Sequence, residues 1–313
     1  MTDSSGSDKQ PHKRSKPSHT AAKVARGVAF LAREPDYACL LPVGCADSIE
    51  KFALASGAMK PWMLRMFDND FYRRSVLGNT NRFWPGEMMR IVLRKRFVDD
   101  EVRAAINEGA SQLLIVGAGF DTVGIRVAND YPNVQVVELD MPATAISRQE
   151  TIEQLGWRRG NHIVVGADLG VTSLQESLEG VSVWSRDARS VVLAEGVLMY
   201  LTRKEADRFL AGVKSNTGDT SRLVFTYLTA DPSGKPYMGK ASGFSRVSLA
   251  LLGETLRWGL REGELEEFLE SGGYELLGPA ERYHLGERYL EPLGRPTRVG
   301  TVEKFAVAET VAT

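Results

Sequence analysis

The run Leu113-Leu-Ile-Val-Gly-Ala-Gly-Phe-Asp-Thr122 sets how the rest of this chain is read. Four apolar residues lead directly into Gly117-Ala118-Gly119, a turn whose missing side chains let backbone approach a ligand, and a helix is expected to follow. The dinucleotide fingerprint asks for a third glycine at position 122, and Thr122 stands there instead. The close helix–strand packing that accompanies a nicotinamide pyrophosphate is therefore missing from that position. Taken alone, the glycine turn serves equally well as a packing device.

The same texture extends on either side. Gln112–Val116, Val134–Leu139, His162–Val165, Ser190–Ala194 and Arg222–Leu228 are short, nearly continuous apolar runs, the pattern of strands buried on both faces. Helices fit between them. Thr202-Arg-Lys-Glu205 is a capping box ahead of Ala206, Phe209, Leu210 and Val213, and Leu265, Phe268 and Leu269 mark a helix ended by Gly272-Gly273. Val302–Ala308 reads as a last strand. Alternating strands and helices predict an α/β, doubly wound, mostly parallel sheet with ligands at the strands' carboxyl ends.

Upstream, the pattern is helical and carries no strand. Ala21, Val24, Ala25, Val28 and Ala29 share one face, with Ser18 or Thr20 as N-cap. A second helix is expected from Pro85, with Met88, Met89, Ile91 and Val92 inward and Arg90, Arg94, Lys95 and Arg96 forming a solvated outer face. The expected division is a disordered tail (1–18), which lacks the apolar surface to offset ordering entropy, and one domain over 19–313. Within it lie an N-terminal helical region (19–108), a cofactor-binding core (109–229), a lid or substrate segment (230–262) and C-terminal helix and strands (263–313).

Composition excludes several classes. The 313 residues are 43% hydrophobic and 25% charged with a formal net charge of -1, so no global field draws the chain to nucleic acid or anionic membrane. Cys39 and Cys45 form neither a disulfide framework nor a paired metal site, and no metal-ligand set is read elsewhere. No apolar run approaches the roughly 20 residues needed to span a bilayer, so a cytoplasmic protein is expected.

Acidic residues mark the strand tips. Asp140 closes the second strand about 20 residues past Gly119, where a carboxylate suits vicinal ribose hydroxyls. Glu138 lies on the same side of that strand, and which of the two reaches the ribose is open. Asp168 follows the third strand and Glu195 the fourth. Glu195 sits in an otherwise apolar run, where a carboxylate is costly to bury without a partner, and an ammonium or sulfonium would supply one. Together these groups describe a site for a ligand with an adenosine and a cation.

These residues resemble the leucine carboxyl methyltransferase family, Rossmann-like enzymes that use S-adenosylmethionine. The resemblance runs from about Thr20 onward. It rests on Gly117-Ala-Gly-Phe-Asp-Thr122, Glu138-Leu-Asp-Met-Pro142, Asp168-Leu169, Ala194-Glu-Gly-Val-Leu-Met-Tyr-Leu201, Asn81-Arg82 and the opening helix Thr20-Ala-Ala-Lys-Val-Ala25. It implies that Arg82 clamps the methionyl carboxylate and that Gly117 and Gly119 give backbone approach to the methionyl and ribose portions. It further implies that Asp140 binds the ribose, Asp168 and Leu169 the adenine, and Glu195 the methionyl ammonium. The family has an arginine directly after the Asp-Thr pair, where Val123 stands here, with Arg126 three residues on.

The expected chemistry is methyl transfer to a carboxylate or hydroxyl of a small molecule or peptide C-terminus, in line and largely through positioning. A carboxylate acceptor needs no base, whereas a phenol benefits from one. Base candidates are few: His12 and His19 lie in or beside the tail, His162 starts the third strand, and His284, Tyr200 and Tyr227 remain. In the substrate segment, Tyr237, Arg246 and Arg257 are candidates for holding the acceptor, within an apolar series that runs to Leu256 and Trp258. The competing expectations are an NAD-dependent oxidoreductase on the same sheet and a non-catalytic cofactor-binding member.

Overall fold

The computed structural model describes residues 18–232, 235–237, 255–278, 283–295 and 297–311. The expected tail up to residue 17, and Arg246 with most of the expected lid, lie outside the described residues.

Among the described residues, six helices precede the first strand: α1 (His19–Leu31), α2 (Pro35–Ala38), α3 (Cys45–Ala55), α4 (Pro61–Phe67), α5 (Asp70–Phe83) and α6 (Glu87–Asn107). Ser18 caps α1, its side chain accepting from the Ala21 amide. The helix expected from Pro85 begins two residues later, after a left-handed Gly86. Then β1 (Gln112–Val116), α7 (Val123–Asp130), β2 (Gln135–Asp140), α8 (Pro142–Gln154), β3 (His162–Gly166), α9 (Leu174–Leu178), β4 (Ser190–Ala194), α10 (Arg203–Ser215) and β5 (Arg222–Leu228) alternate as expected. The chain continues with α11 (Leu265–Ser271), β6 (Tyr274–Leu276), α12 (Leu285–Tyr289) and β7 (Glu303–Thr310). The capping box at Thr202 and Glu205 is formed, and α11 ends at Gly272.

The strands form one seven-stranded sheet in the order β3-β2-β1-β4-β5-β7-β6. β1 to β5 pair in parallel, and β7 runs antiparallel between β5 and β6. The order reverses between β1 and β4, the switch point at which an open α/β sheet forms its crevice.

Alternation along the strands divides the core into two layers. Leu113, Ile115, Val136, Val191, Leu193, Val224 and Phe305 face one way, against residues of α1, α3, α6 and α7. Leu114, Val116, Val137, Leu139, Val192, Phe225 and Ala306 face the other, against α9, α10 and α11. Trp258, expected among substrate-facing residues, is packed in this second layer with its ring centroid 4.9 Å from that of Phe268.

The outer face expected of α6 is corrected. Arg90, Arg94 and Lys95 are buried. Such burial is tolerated because each has carboxylate partners: Arg90 with Glu87 and Glu303, Arg94 with Glu303, and Lys95 with Asp121 and Glu195.

Candidate active site

The turn after β1 is held from three directions. The Gly117 amide donates to Leu139 O at 2.7 Å, tying the turn to β2. Gly117 and Gly119 adopt φ of +71° and +54°, and a Cβ on them would lie 2.5 Å from Val197 Cγ2 and 2.9 Å from Ala21 Cβ. Only glycine tolerates both that conformation and that proximity. The turn is therefore sandwiched between the segment after β4 and the first helix.

Thr122 does not replace the packing glycine. It is fully buried, and its hydroxyl lies 2.7 Å from that of Ser48 on α3. Gly124 fills that role two residues later: a Cβ there would run into Glu138 Oε1 and come within 2.8 Å of Ile115 Cδ1. The sequence signal was present as a glycine shifted along the helix.

Glu138 and Asp140 differ in burial and in partners. Glu138 is 1% exposed and receives both Nε and Nη2 of Arg148 on Oε2, at 2.9 and 2.6 Å, with His162 Nε2 at 3.4 Å. Burial acts to raise its pKa, but the Arg148 guanidinium and His162 outweigh it and hold the carboxyl at about 2. Arg148 also donates to Gly119 O at 2.8 Å and to Asp121 O at 2.9 Å, so a buried ion pair shapes the glycine turn from beneath. Neither Glu138 nor Arg148 is available to a ligand.

Asp140 sits at the tip. Its Oδ2 accepts from the Gly119 amide at 2.6 Å and its Oδ1 from the Met141 amide at 2.7 Å. Burial pushes its pKa up, and those two amides and Arg148 offset only part of the effect. Each oxygen keeps acceptor capacity beyond the amide it receives.

The β4 tip corrects the argument made for Glu195. Its carboxylate has partners within the chain: Lys95 Nζ at 2.5 Å and Arg94 Nε at 2.8 Å, both on Oε1. Lys95 Nζ also lies 2.5 Å from Asp121 Oδ2. Burial alone would raise the Asp121 pKa, but Lys95 and Arg126 hold it well below the usual carboxylate range. Arg94 Nε, although close to Glu195, is buried without an aligned acceptor. Composition gave no sign of this cluster, because its cations and acids are far apart in sequence.

Asp168 follows β3 and accepts from the Gly170 amide at 3.0 Å, with Leu169 half-buried beside it. Asp140 is thus bonded directly to the glycine turn, Asp121 in that turn is linked to Glu195 through Lys95, and Asp168 lies at the next tip. Arg82 is exposed in the last turn of α5, and among the described residues no hydrogen bond or ion pair engages it.

The base candidates differ in their surroundings. Burial pushes the Tyr227 phenol up to about 12. His284 is more than half exposed, 3.3 Å from Glu287. Tyr200 lies in a short 3-10 turn after β4 (Leu198–Tyr200). In the expected lid, Tyr237 is exposed, and Arg257 is placed beside that turn by its amide, which donates to Met199 O at 2.8 Å. A cavity of about 590 Å³ opens elsewhere, between α3, α6 and α7; its Arg103 and Arg126 pair with its own Asp99 and Asp130.

Comparison with known proteins gives concordant findings. The family model described as leucine carboxyl methyltransferase matches residues 45–214. A provisionally named S-adenosyl-L-methionine-dependent methyltransferase of Parafrankia sp. (strain EAN1pec) is 32% identical over 144 residues, 44% of this chain and 44% of its own. One of Mycobacterium sp. (strain JLS) is 29% identical over 220 residues, 68% of this chain and 67% of its own. The matched region thus spans less than half of the first relative and about two thirds of the second. Among solved structures, a protein of Thermobifida fusca provisionally described as a methyltransferase superposes with a TM-score of 0.54 at 18% identity, over 98% of this chain and 100% of that one. A protein of Streptomyces avermitilis described as of the duf574 family does so with 0.56 at 17%, over 83% and 96%. At such identities the likeness concerns the fold.

Proposed function

The chain belongs to the leucine carboxyl methyltransferase family, and from that premise we propose that it is an S-adenosylmethionine-dependent O-methyltransferase whose acceptor is a carboxylate. The carrying observation is the contact chain from Asp140 through Gly119 and Asp121 to Lys95 and Glu195, at the point where the strand order reverses.

The residues fit the cofactor by their chemistry. Asp140 has oxygens left to accept two vicinal hydroxyls, and the turn at Gly117 and Gly119 offers bare backbone. Asp168 and Leu169 would flank the adenine, and Glu195 would take the methionyl ammonium. Arg82 would take the methionyl carboxylate as the resemblance implies, with Arg94 as a second candidate, since its buried Nε lacks an aligned acceptor. When bound, S-adenosylmethionine supplies a methyl group on a positively charged sulfur.

The chain's own part is positioning and exclusion of water. Tyr227, pushed up to about 12, is a poor base near neutral pH, and a carboxylate acceptor, already ionised, asks for none. Arg257, its guanidinium a loose 3.7 Å from Glu205, would receive such an acceptor beside the β4 tip, with Tyr237 and Arg246 as further candidates.

Two measurements test this reading. Saturating S-adenosylhomocysteine should raise the melting temperature by mass action, and Asp140→Ala should remove the shift; a wild-type melt unmoved by the ligand sinks the assignment. Label transferred from radioactive S-adenosylmethionine to an acceptor in an extract should be released by mild base, as an ester is. Base-stable label would move the chemistry to a hydroxyl or an amine.

A further inference from the structure

The crevice already contains an ammonium of the chain's own. Lys95 reaches up from α6 to lie 2.5 Å from Asp121 and 2.5 Å from Glu195, with only 7% of its side chain exposed. The two carboxylates follow β1 and β4, the strands that flank the reversal of order. They are little more exposed than the lysine, 14% and 11%. Such a pair forms a receptor for one ammonium. The cofactor reading above brings a second one to Glu195, that of the methionyl group. Two ammonium ions crowded at a single buried acidic pair repel each other and both lose hydration, so the pair cannot hold both as firmly as one.

We propose that Lys95 is an internal competitor for the methionyl ammonium. It satisfies Glu195 and Asp121 in the ligand-free chain, gives up Glu195 when the cofactor binds, and so sets how much the amino-acid half of the cofactor adds to affinity. The inference rests on the S-adenosylmethionine reading. Geometry allows the exchange: on leaving Glu195, Lys95 keeps Asp121, and its four-carbon stem is flexible. Breaking the internal ion pair is charged against the new one, so the net gain from the ammonium is small in the wild type.

The test is calorimetric titration of the full chain with S-adenosylhomocysteine and with 5′-methylthioadenosine, which lacks the amino-acid portion. In the wild type the two Kd values should agree within about tenfold. In Lys95→Met, S-adenosylhomocysteine should bind about tenfold tighter, while 5′-methylthioadenosine stays within about twofold of its wild-type value. The substitution keeps an unbranched stem, and both acids retain a neighbour: Arg94 Nε at 2.8 Å from Glu195 and the Val123 amide at 2.7 Å from Asp121. A wild-type preference for S-adenosylhomocysteine beyond about tenfold overturns the proposal, as does a Lys95→Met chain that binds it no better than wild type. The wild-type ratio needs no variant, so it decides the matter even if Lys95→Met does not fold. Binding of neither nucleoside is a different result, which overturns the cofactor reading itself.

Discussion

Arg148 lies at the centre of the site's architecture without facing a ligand. Fully buried, it neutralises Glu138, fixes the carbonyls of Gly119 and Asp121, and lies with its guanidinium carbon 5.0 Å from the Phe52 ring centroid. Arg148→Met leaves a buried carboxylate without its guanidinium and should cost about 3–5 kcal/mol in urea unfolding. Adding Glu138→Gln should restore part of that loss; a double variant no more stable than the single one would show that the pair is not the cause. The pH dependence has a definite sign. The folded carboxyl of Glu138 is held at about 2 and that of Glu303, where burial is outweighed by Arg94 and Arg90, likewise at about 2. Unfolded glutamate binds its proton near 4.3, so in between the unfolded chain takes up more protons. The stabilisation is complete above that range and is lost as pH falls through it. Urea midpoints should therefore drop from about pH 5 downward, and less steeply in Arg148→Met.

Among the elements, β1, β4 and β5 match their expected bounds, because strands buried on both faces write themselves as unbroken apolar runs. β6, three residues long, leaves too little pattern to find. α5 escapes a reading of the sequence for a related reason: it has no buried residue, so no apolar stripe announces it. The basic face of α6 was misread because a helical wheel sees charge but not its partner; Arg94 meets Glu303 209 positions away. The site was legible where it depends on residues fixed to strand tips, Gly117, Gly119 and Asp140, and illegible where it depends on α6 reaching over the sheet. At this scale, Gly124→Ala should destabilise by about 1–3 kcal/mol, since the methyl meets Glu138 and Ile115. A neutral result in thermal melts would show that α7 can shift. Thr202→Ala, which opens the capping box of α10, should cost about 1 kcal/mol in the same assay.

For the molecule as a whole, β7 does more than extend the sheet. It pairs with β5 from Arg222↔Glu309 to Leu228↔Glu303 and carries Glu303 to Arg90 and Arg94. A chain ending at residue 301 loses the strand and leaves two buried guanidinium groups short of a carboxylate. It should be insoluble or show no cooperative melt by circular dichroism; a cooperative melt near that of the intact protein would contradict this account. β7, the last of the described strands, is also an interior one, lying between two that precede it in the sequence. Any species in which β7 has not docked carries a naked β5 edge, and the sheet closes only when Glu303–Thr310 pairs with it. An unshielded β5 edge is a template for pairing with another chain, so a species that waits for β7 is the one exposed to aggregation.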